Sequence, residues 1–375
     1  MRVSGTIALA AALMAAVSIG SPARAAGPQV VAGPSPDPAC FRPWDAKTKF
    51  FEYAAKKPPY RIALANGFIA NTWRIQMIKT AKAYADQNKD LISEFKVVST
   101  GEDLPAQIAA VENFINSGYD AVIVNALNPA AFKPAVKKAN RAGVVLVSFD
   151  NVIESDEAVM VNVDQVKIGQ MMGEFLASKL PAKGANVIEV RGPSGNSVDR
   201  DRHDGFNAAM KKKGVHWNVI ETVGKWDDGT AQKVVADALA VHKKVDGIYV
   251  QGGSTGVVRA LMDAKHPFVP VAGETENGFR KLCAAHGKDG LECASSGTGP
   301  AQVAVAIKAA LSALQGQAIP QSVALPISYT QSPDFADGKN FYSGQSDNFF
   351  VGNAFPDCKV GFTAREIMGQ SESNN

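Results

Sequence analysis

The feature that most constrains the fold is a regular alternation of two kinds of segment that begins at Tyr60 and continues to about Leu314. Short runs of β-branched and other apolar residues alternate with amphipathic segments of helical length, which is the pattern of βαβ units on parallel sheets. The runs at 121–124 and 144–147 are apolar at every position, so we expect helices to cover both faces of these strands. The sequence therefore predicts an α/β protein.

Strands are predicted over residues 60–66, 93–99, 120–125, 144–149, 157–163, 185–191, 216–223, 246–251, 268–273 and 291–296. Helices are predicted over residues 72–87, 104–117, 131–141, 165–180, 197–213, 230–242, 256–264, 277–284 and 302–314. These are more βα units than one open sheet usually carries, and the rhythm restarts near Ala185. Two doubly wound lobes in tandem therefore fit better than a single closed eight-stranded barrel.

The N-terminal residues have the composition of an export signal. Arg2 precedes an apolar run at 6–20, and Ala23-Arg24-Ala25 has the small residues that a signal peptidase recognises. The run is shorter than the roughly 20 residues of a membrane-spanning helix. We therefore expect cleavage near Ala25 and a mature protein in the periplasm.

Composition excludes several classes of protein. The chain is 46% hydrophobic and carries 39 basic against 36 acidic residues, too apolar and too balanced in charge for a disordered polymer. The longest basic run is 211–213, so nothing indicates binding to nucleic acid. No close His or Cys spacing suggests a metal site, and no Walker A sequence suggests that ATP is bound. We expect neither a cofactor nor a metal.

All four cysteines lie beyond the predicted signal peptide, and an even number of cysteines in an exported protein suggests disulfides. Three pairings are possible. Cys283 and Cys293 flank a polar turn, which is compatible with a short clip, and Cys40 with Cys358 would then tie an N-terminal extension to the C-terminal tail. The sequence favours this pairing without deciding it.

Polar side chains follow almost every predicted strand. Ligands of doubly wound sheets bind beyond the carboxyl ends of the strands, so these side chains are candidates for a site between the lobes. The candidates are Asn71, Trp73, Arg74, Asn125, Asp150, Asn151, Asp164, Arg202, Trp226, Gln251, Glu274 and Thr298. Carboxylates and amides accept protons from hydroxyl groups, Arg holds two adjacent oxygens, and Trp faces suit the C–H face of a sugar ring. This set indicates a hydroxyl-rich ligand. For Asn71, Asp150 and Asp164, helix capping alone is an equally good explanation.

Three stretches resemble the type I periplasmic sugar-binding proteins of ABC transporters, the ribose-binding group. They are Asn71-Thr72-Trp73-Arg74, the run from Val144 to Asn151, and the run from Val187 to Gly192 that leads to Ser197–Phe206. The last run is similar to the family's strand, glycine turn and Arg-x-Arg-x-x-Gly-Phe helix start. The resemblance covers about residues 60–330.

The resemblance implies roles for individual residues. Asn71 and Trp73 would contact the sugar from the first lobe, Asp150 would accept its hydroxyl protons, and Arg202 would hold adjacent oxygens. Trp226 falls where the family stacks an aromatic ring, Glu274 where it usually has Asp, and Thr298 near a family Gln.

Departures from the family concern the specificity. Gly252-Gly253 replaces a usual Asn-Asp, which predicts a larger or differently substituted ligand. Arg74 stands where the family has an aromatic residue, and Asn151 stands where the family has an Arg. The Pro-rich arm and the cysteines are additional to the simplest members of the family.

The family also implies an architecture of two lobes and a three-strand hinge, with crossings near residues 162–164, 296–298 and 328–332. The predicted organisation is a signal peptide (1–25), a Pro-rich arm (26–58), an N-terminal lobe (59–162 plus 298–330), a C-terminal lobe (163–297 plus 331–365) and a disordered tail (366–375). The implied function is capture of a small sugar or polyol by hinge closure, and delivery to the permease of an ABC transporter by a monomeric, non-enzymatic protein.

Two alternatives stay open at this stage. Gly252-x-Ser254-x-Gly256 lies between a strand and a helix, the context of a hydrolase nucleophile, and His266 or His286 with Asp263 or Asp289 could complete a triad. A sensor that signals to a chemoreceptor or a kinase would use the same binding chemistry as a transport protein.

Overall fold

The computed structural model describes residues 27–69 and 71–375. The predicted signal peptide lies outside the described residues. In the part of the chain that the structure describes, no helix combines the length and the apolar character needed to cross a bilayer.

The described elements alternate as predicted over most of the chain. The strands are β1 (Gln29–Val31), β2 (Phe50–Glu52), β3 (Tyr60–Asn66), β4 (Ile92–Ser99), β5 (Ala121–Asn125), β6 (Val145–Phe149), β7 (Val159–Asn162), β8 (Lys183–Arg191), β9 (His216–Val223), β10 (Gly247–Val250), β11 (Val271–Gly273), β12 (Cys293–Gly297), β13 (Ile319–Pro320), β14 (Ser322–Ala324), β15 (Ser328–Gln331), β16 (Ala354–Phe355) and β17 (Val360–Gly361). The α-helices are α1 (Thr72–Gln87), α2 (Leu104–Asn116), α3 (Lys133–Ala142), α4 (Gln165–Lys179), α5 (Ser197–Lys212), α6 (Asp228–Val241), α7 (Ser254–Asp263), α8 (Asn277–His286), α9 (Gln302–Leu314) and α10 (Ala364–Met368).

Two six-stranded sheets form the two lobes, which confirms the predicted fold class. The N-lobe sheet has the order β14-β7-β6-β5-β3-β4, with every neighbouring pair parallel. The C-lobe sheet has the order β15-β12-β11-β10-β8-β9, in which only the edge pair β12–β15 is antiparallel.

The apolar runs have the two-faced burial that their composition predicts. In β5, Ile123 packs with α1 and α9 on one face of the N-lobe sheet, whereas Val122 and Val124 pack with α2 and α3 on the other. The period of two along a strand places successive side chains on opposite faces, so a continuous apolar run fits a strand covered on both sides. One predicted strand, 268–273, is shorter because Pro270 has no N–H for the ladder.

The chain crosses between the lobes at the ends of β7, β12 and β14. The first two crossings agree with the predicted positions, whereas the third lies at residues 325–327. The prediction of 328–332 was wrong, because residues 328–331 pair with β12 inside the C-lobe sheet. Residues 159–162, predicted as part of a crossing strand, pair with β6 inside the N-lobe sheet and precede the first crossing.

The C-terminal residues return to the N lobe, which corrects two predicted segments. Phe355 and Val360 belong to the N-lobe core, not to the C lobe. The predicted disordered tail 366–375 contains part of α10, with Ile367 fully buried, and the side chain of Asn375 accepts a hydrogen bond from the Val97 amide at 2.8 Å. This tail packs on the N lobe because α10 contacts α1. In addition, asparagine side chains of the tail accept hydrogen bonds from backbone amides of the edge strand β4.

The arm also packs on the N lobe. Its strands β1 and β2 form a small antiparallel sheet with β13, and Phe41 and Phe51 enter the N-lobe core. Disulfides join Cys40 to Cys358 and Cys283 to Cys293, which is the pairing that the sequence favours. The longer one connects the arm to the C-terminal tail on the same lobe.

Candidate ligand-binding site

A cavity between the two lobes collects most of the predicted site residues. About 510 Å³ of space in it is free of protein atoms, including space that is open to solvent. Nine of the predicted residues line it, namely Asn71, Trp73, Arg74, Asp150, Arg202, Trp226, Gln251, Glu274 and Thr298. Trp73 and Trp226 lie in opposite lobes and share the cavity. The carboxyl ends of both sheets therefore face one common space, as the doubly wound topology requires.

The N-lobe wall is built around a buried ion pair. Asn71 caps α1 by accepting a hydrogen bond from the Arg74 amide at 2.9 Å, which fixes the first turn of the helix at the cavity. The Arg74 guanidinium lies 3.3 Å from the Asp150 carboxylate and 5.4 Å from the Trp73 ring centroid. Burial lowers the pKa of Arg74, against the attraction of Asp150. The Asp150 charge compensates the charge of this arginine.

Asn125 and Asn151, for which a direct contact with ligand is predicted, are not among the residues that line the cavity. The amide of Asn151 donates to Asp150 at 2.9 Å, and that of Asn125 donates at 3.2 Å. Asp150 itself has a left-handed backbone conformation, with φ of 58°. The two asparagines hold its carboxylate in place from behind.

Asp164 is also outside the cavity. Its carboxylate accepts the Lys167 amide at 2.8 Å and caps α4. The first crossing between the lobes ends here, so this residue is needed to start α4, and its side chain points to a separate surface depression.

The C-lobe wall is organised by Arg202. Its guanidinium donates to Glu274 at 2.7 Å, to the Gln251 carbonyl at 2.8 Å and to the Gln165 side chain at 2.8 Å. Burial lowers the pKa of Arg202, but the charge and the hydrogen bond of Glu274, together with the nearby Tyr249 and Asp150, outweigh burial and the net pKa is raised. Arg202 therefore stays charged, and its three hydrogen bonds fix the orientation of the guanidinium.

Glu274 lies against the second crossing. Its second carboxylate oxygen accepts the Thr275 amide at 3.0 Å. A Cβ at Gly297 would lie only 1.6 Å from this oxygen, and Gly297 has φ of +157°. Glycine is therefore required at the end of β12 for the longer acidic side chain to fit.

The first residue of the double glycine after β10 makes room for Trp226. A Cβ at Gly252 would lie 3.0 Å from Trp226 Cβ, and a Cβ at Gly192 would lie 2.3 Å from its ring. Gly253 has φ of +83° and packs on the start of α6. Trp226 therefore occupies the space beside Gly252, and the larger or differently substituted ligand stays a prediction.

Several buried polar atoms at the cavity have no hydrogen-bond partner among the residues that the structure describes. They are Trp226 Nε1, Gln251 Oε1, Thr298 Oγ1 and Gln302 Oε1. Buried polar groups are costly unless they are paired, so these atoms are available to ligand or water. They include an indole donor, two amide acceptors and a hydroxyl that does both.

The sequence interpretation missed several lining residues, among them Gln165, Gln302, Glu276 and Phe350. Gln165 and Gln302 are the first residues of α4 and α9, directly after two crossings. The rule that helix starts face the cleft could have found both. No local signal marks Phe350, which comes from a distant segment.

Glu276 caps the helix that follows the double glycine. It accepts the amides of Gly253, Ser254 and Thr255 at 2.7–3.0 Å, and it shares a side-chain hydrogen bond with Asp228. Two carboxyls that share a hydrogen bond must hold a proton between them. Burial and the charge of Asp228 raise the pKa of Glu276 to about 8, and burial raises the pKa of Asp228.

This carboxyl pair predicts a pH-dependent stability. The folded-state pKa of Glu276, about 8, lies above the ordinary value of 4.5, so the bound proton favours the folded state. The contribution is complete below the ordinary value and is lost as pH rises through the folded-state value. The melting temperature should fall by roughly 3–6 °C between pH 6 and pH 9, measured by calorimetry. Asp228→Asn imitates the protonated partner and should flatten this decline; an equally steep decline in that variant contradicts the shared proton.

The predicted hydrolase elbow is not assembled. The Ser254 hydroxyl is fully buried and accepts the Glu274 amide at 2.9 Å. His266 is bonded to the Pro267 carbonyl and His286 to Asp289. The turn positions the start of α7, and neither histidine is bonded to the serine.

The tertiary structure also assembles a group that sequence spacing could not reveal. Glu189, His203 and Glu221 place one potential metal-ligand atom each within 4.8 Å of the others. The Arg191 guanidinium lies 3.1 Å from Glu221 and 3.8 Å from Glu189. Among the described residues, the Arg191 guanidinium thus provides a positive charge beside the two carboxylates of this group.

Comparison with known proteins agrees with this geometry. Residues 62–318 match the model of the periplasmic binding protein domain. The chain belongs to the periplasmic binding protein family. Members of this family are periplasmic binding proteins and not enzymes.

The relatives are sugar-binding and solute-binding proteins. The D-ribose/D-allose-binding protein of Pseudomonas aeruginosa is 31% identical over 217 residues, which cover 54% of this chain and 66%, just under two thirds, of the relative. An ABC transporter solute-binding protein from Thermobispora bispora superimposes with a TM-score of 0.70 at 26% identity, over 84% of this chain and 95% of that one. A solute-binding protein from Actinobacillus succinogenes with bound D-allose has a TM-score of 0.62 at 25% identity, over 73% and 97%.

Proposed function

We propose that this periplasmic binding protein captures a small, uncharged sugar or polyol between its lobes. The observation that carries the proposal is the composition of the cavity. Its two arginines form internal ion pairs with acids, its unpartnered atoms are neutral donors and acceptors, and its two tryptophans lie in opposite lobes. Relatives named for ribose and allose support the same class of ligand.

The uncharged character of the ligand follows from the ion pairs. Arg74 is compensated by Asp150, and Arg202 by Glu274. A ligand carboxylate would have to displace one of these acids, and burying a charge without a partner is expensive. Hydroxyl groups need no such exchange, because they both donate and accept and can satisfy Gln251, Gln302 and Thr298.

Binding would stabilise a closed arrangement of the lobes. A ligand that touches both Trp73 and Trp226 has higher affinity for the closed state than for an open one, and this difference shifts the equilibrium. The residues at the three crossings would absorb the movement. The closed monomer would then deliver its ligand to the permease of an ABC transporter, after export and removal of residues 1–25.

A calorimetric titration tests the ligand class. The probes are D-ribose, D-allose and xylitol, with D-glucuronate and D-glucosamine as charged controls of similar size. The proposal predicts binding of at least one neutral probe with a Kd at least about 100-fold below those of the charged controls, equivalent to roughly 3 kcal/mol. Preference for a charged control would contradict the role assigned to the internal ion pairs.

Trp226→Ala should weaken binding of the best neutral probe by about 1–3 kcal/mol, the range for loss of an aromatic contact in a buried pocket. The reason is that the indole covers one face of the cavity and offers a free Nε1 donor. Calorimetry gives the change in Kd. Trp44→Ala is the control, since Trp44 is 41% exposed on the arm, and affinity should not change. Equal affinities in both variants would remove Trp226 from the site.

A further inference from the structure

A C-terminal segment crosses the cleft outside the region that matches the family. Residues 332–353, which we call the strap, leave the C-lobe sheet after β15 and end on the N lobe before β16. The family match ends at residue 318. The strap is thus a fourth covalent connection between the lobes, in addition to the three crossings at the ends of β7, β12 and β14.

The C lobe holds the strap along α8. The side chain of Asn277 donates to the carbonyls of Tyr342 and Ser346 at 3.0 Å and accepts the Tyr342 amide at 2.8 Å. The Asp347 carboxylate pairs with Arg259 at 2.7 Å and with Lys281 at 3.1 Å. These contacts fix the position of the strap on this lobe.

The N lobe holds the main chain of Phe350, in the same strap, through the side chain of Gln76. Gln76 is buried on α1, accepts the Phe350 amide at 2.8 Å and donates to the Phe350 carbonyl at 3.0 Å. On the opposite side, the Asn277 amide donates to the Phe349 carbonyl at 2.9 Å, and the Val351 amide donates to the Thr275 carbonyl at 3.3 Å. The main chain at Phe350 is therefore bonded to both lobes.

The strap reaches the cavity at this same residue. Phe350 is 5% exposed and lines the cavity with Trp73 and Trp226. Next to it, a Cβ at Gly299 would lie 2.2 Å from the Gly352 carbonyl oxygen, so the strap also packs tightly on the second crossing. The position of Phe350 is thus determined by both lobes and by a hinge segment.

We propose that Phe350 is a specificity-determining residue of the ligand cavity, and that Gln76 is its positioning residue. The proposal rests on the proposed function, because Phe350 would limit the size of a ligand held between the two tryptophans. Opening of the cleft has to break one of two sets of hydrogen bonds: those of the Phe350 main chain to Gln76, or those of its neighbours to the C lobe. The position of Phe350 in the cavity therefore depends on whether the lobes are closed.

The ratio of Kd values for D-ribose and D-allose tests the role of the side chain. Phe350→Ala enlarges the cavity and should shift the ratio at least fivefold towards the larger D-allose, whereas Phe350→Trp should shift it towards D-ribose. Phe355→Ala is the control, because it removes an equally buried ring from the N-lobe core; it should lower stability and leave the ratio unchanged. An unchanged ratio in both Phe350 variants overturns the proposal.

Hydrogen exchange without ligand tests the role of Gln76 independently. Gln76→Met keeps about the length of the side chain but removes both the acceptor of the Phe350 amide and the donor to the Phe350 carbonyl. Exchange of the Phe350 amide should rise at least tenfold, while the Gly278 amide, which donates to the Asp347 carbonyl, keeps its protection. Unchanged exchange at Phe350 overturns the positioning role. If the wild-type protein binds none of the neutral probes, the proposed function is contradicted. The exchange experiment needs no ligand, so it decides the role of Gln76 in either case.

Discussion

Arg202→Ala is expected to lower the free energy of unfolding by about 3–5 kcal/mol, the cost of leaving one partner of a buried ion pair uncompensated. The variant removes the donors to Glu274, to the Gln251 carbonyl and to Gln165 together. Glu274 is only 7% exposed, so water cannot replace the lost charge. Urea unfolding followed by tryptophan fluorescence measures the change, and binding of the neutral probes should be lost with it.

Two further variants separate charge from geometry at this position. Arg202→Lys restores a cation but not the fork, so it should recover part of the stability while the affinity for ligand stays about 10–100-fold reduced. Arg202→Ala combined with Glu274→Gln removes the unpaired charge and should be more stable than Arg202→Ala alone. A double variant as unstable as the single one would show that the ion pair is not the cause.

Arg200→Ala is the matched control on the same helix. Arg200 is exposed and pairs with its neighbour Asp201 at 2.9 Å. Exposed ion pairs contribute about 0–1 kcal/mol. A loss of stability as large as that of Arg202→Ala would point to an effect on α5 as a whole and would contradict the specific role of Arg202.

Removal of the Cys40–Cys358 disulfide by a double Cys→Ser substitution should lower the free energy of unfolding by roughly 5 kcal/mol. The physical reason is that this bond joins residues 318 positions apart and so restricts almost the whole unfolded chain. It also fixes the arm and the tail on the N lobe, next to the end of the strap. Equilibrium unfolding in urea measures the difference.

The second disulfide provides the comparison. Cys283 and Cys293 are only 10 positions apart, and the same chain-entropy argument gives about 3 kcal/mol for a loop of this size. The double Cys→Ser variant at this pair should therefore unfold at a higher urea concentration than the variant at Cys40 and Cys358. The reverse order would contradict the assignment of the long loop as the main constraint on the unfolded state.

Three of the predicted site residues that line the cavity share one property. Asn71, Asp150 and Glu274 come directly after a strand or at the start of the next helix, and parallel strands bring all such positions to one edge of a sheet. Local order along the chain is therefore sufficient to place them at the cleft. The same rule also selects Asn125, Asn151 and Asp164, which lie outside the cavity, because it identifies the edge of the sheet but not which side chains face the cavity.

Other features depend on contacts between distant segments. The glycines after β10 suggested space for ligand, and Trp226 from the loop after β9 occupies the space beside Gly252. Phe350 reaches the cavity only because the strap is anchored on α8 and on Gln76. In neither case does the neighbouring sequence contain the information, since the partner lies at least 26 residues away along the chain.

The sequence by itself determined the two parallel sheets, their order of elements, the favoured cysteine pairing and the edge at which ligand-binding groups collect. Periodicity and composition specify helices and strands from a few neighbouring residues. The right-handed connections between parallel strands then determine how the strands are arranged in each sheet. Only the tertiary structure decided which polar groups are compensated by one another, which remain unpartnered at the cavity, and where the C-terminal segment crosses the cleft. Those outcomes depend on side-chain packing between segments that are far apart in the chain, and no local pattern specifies it.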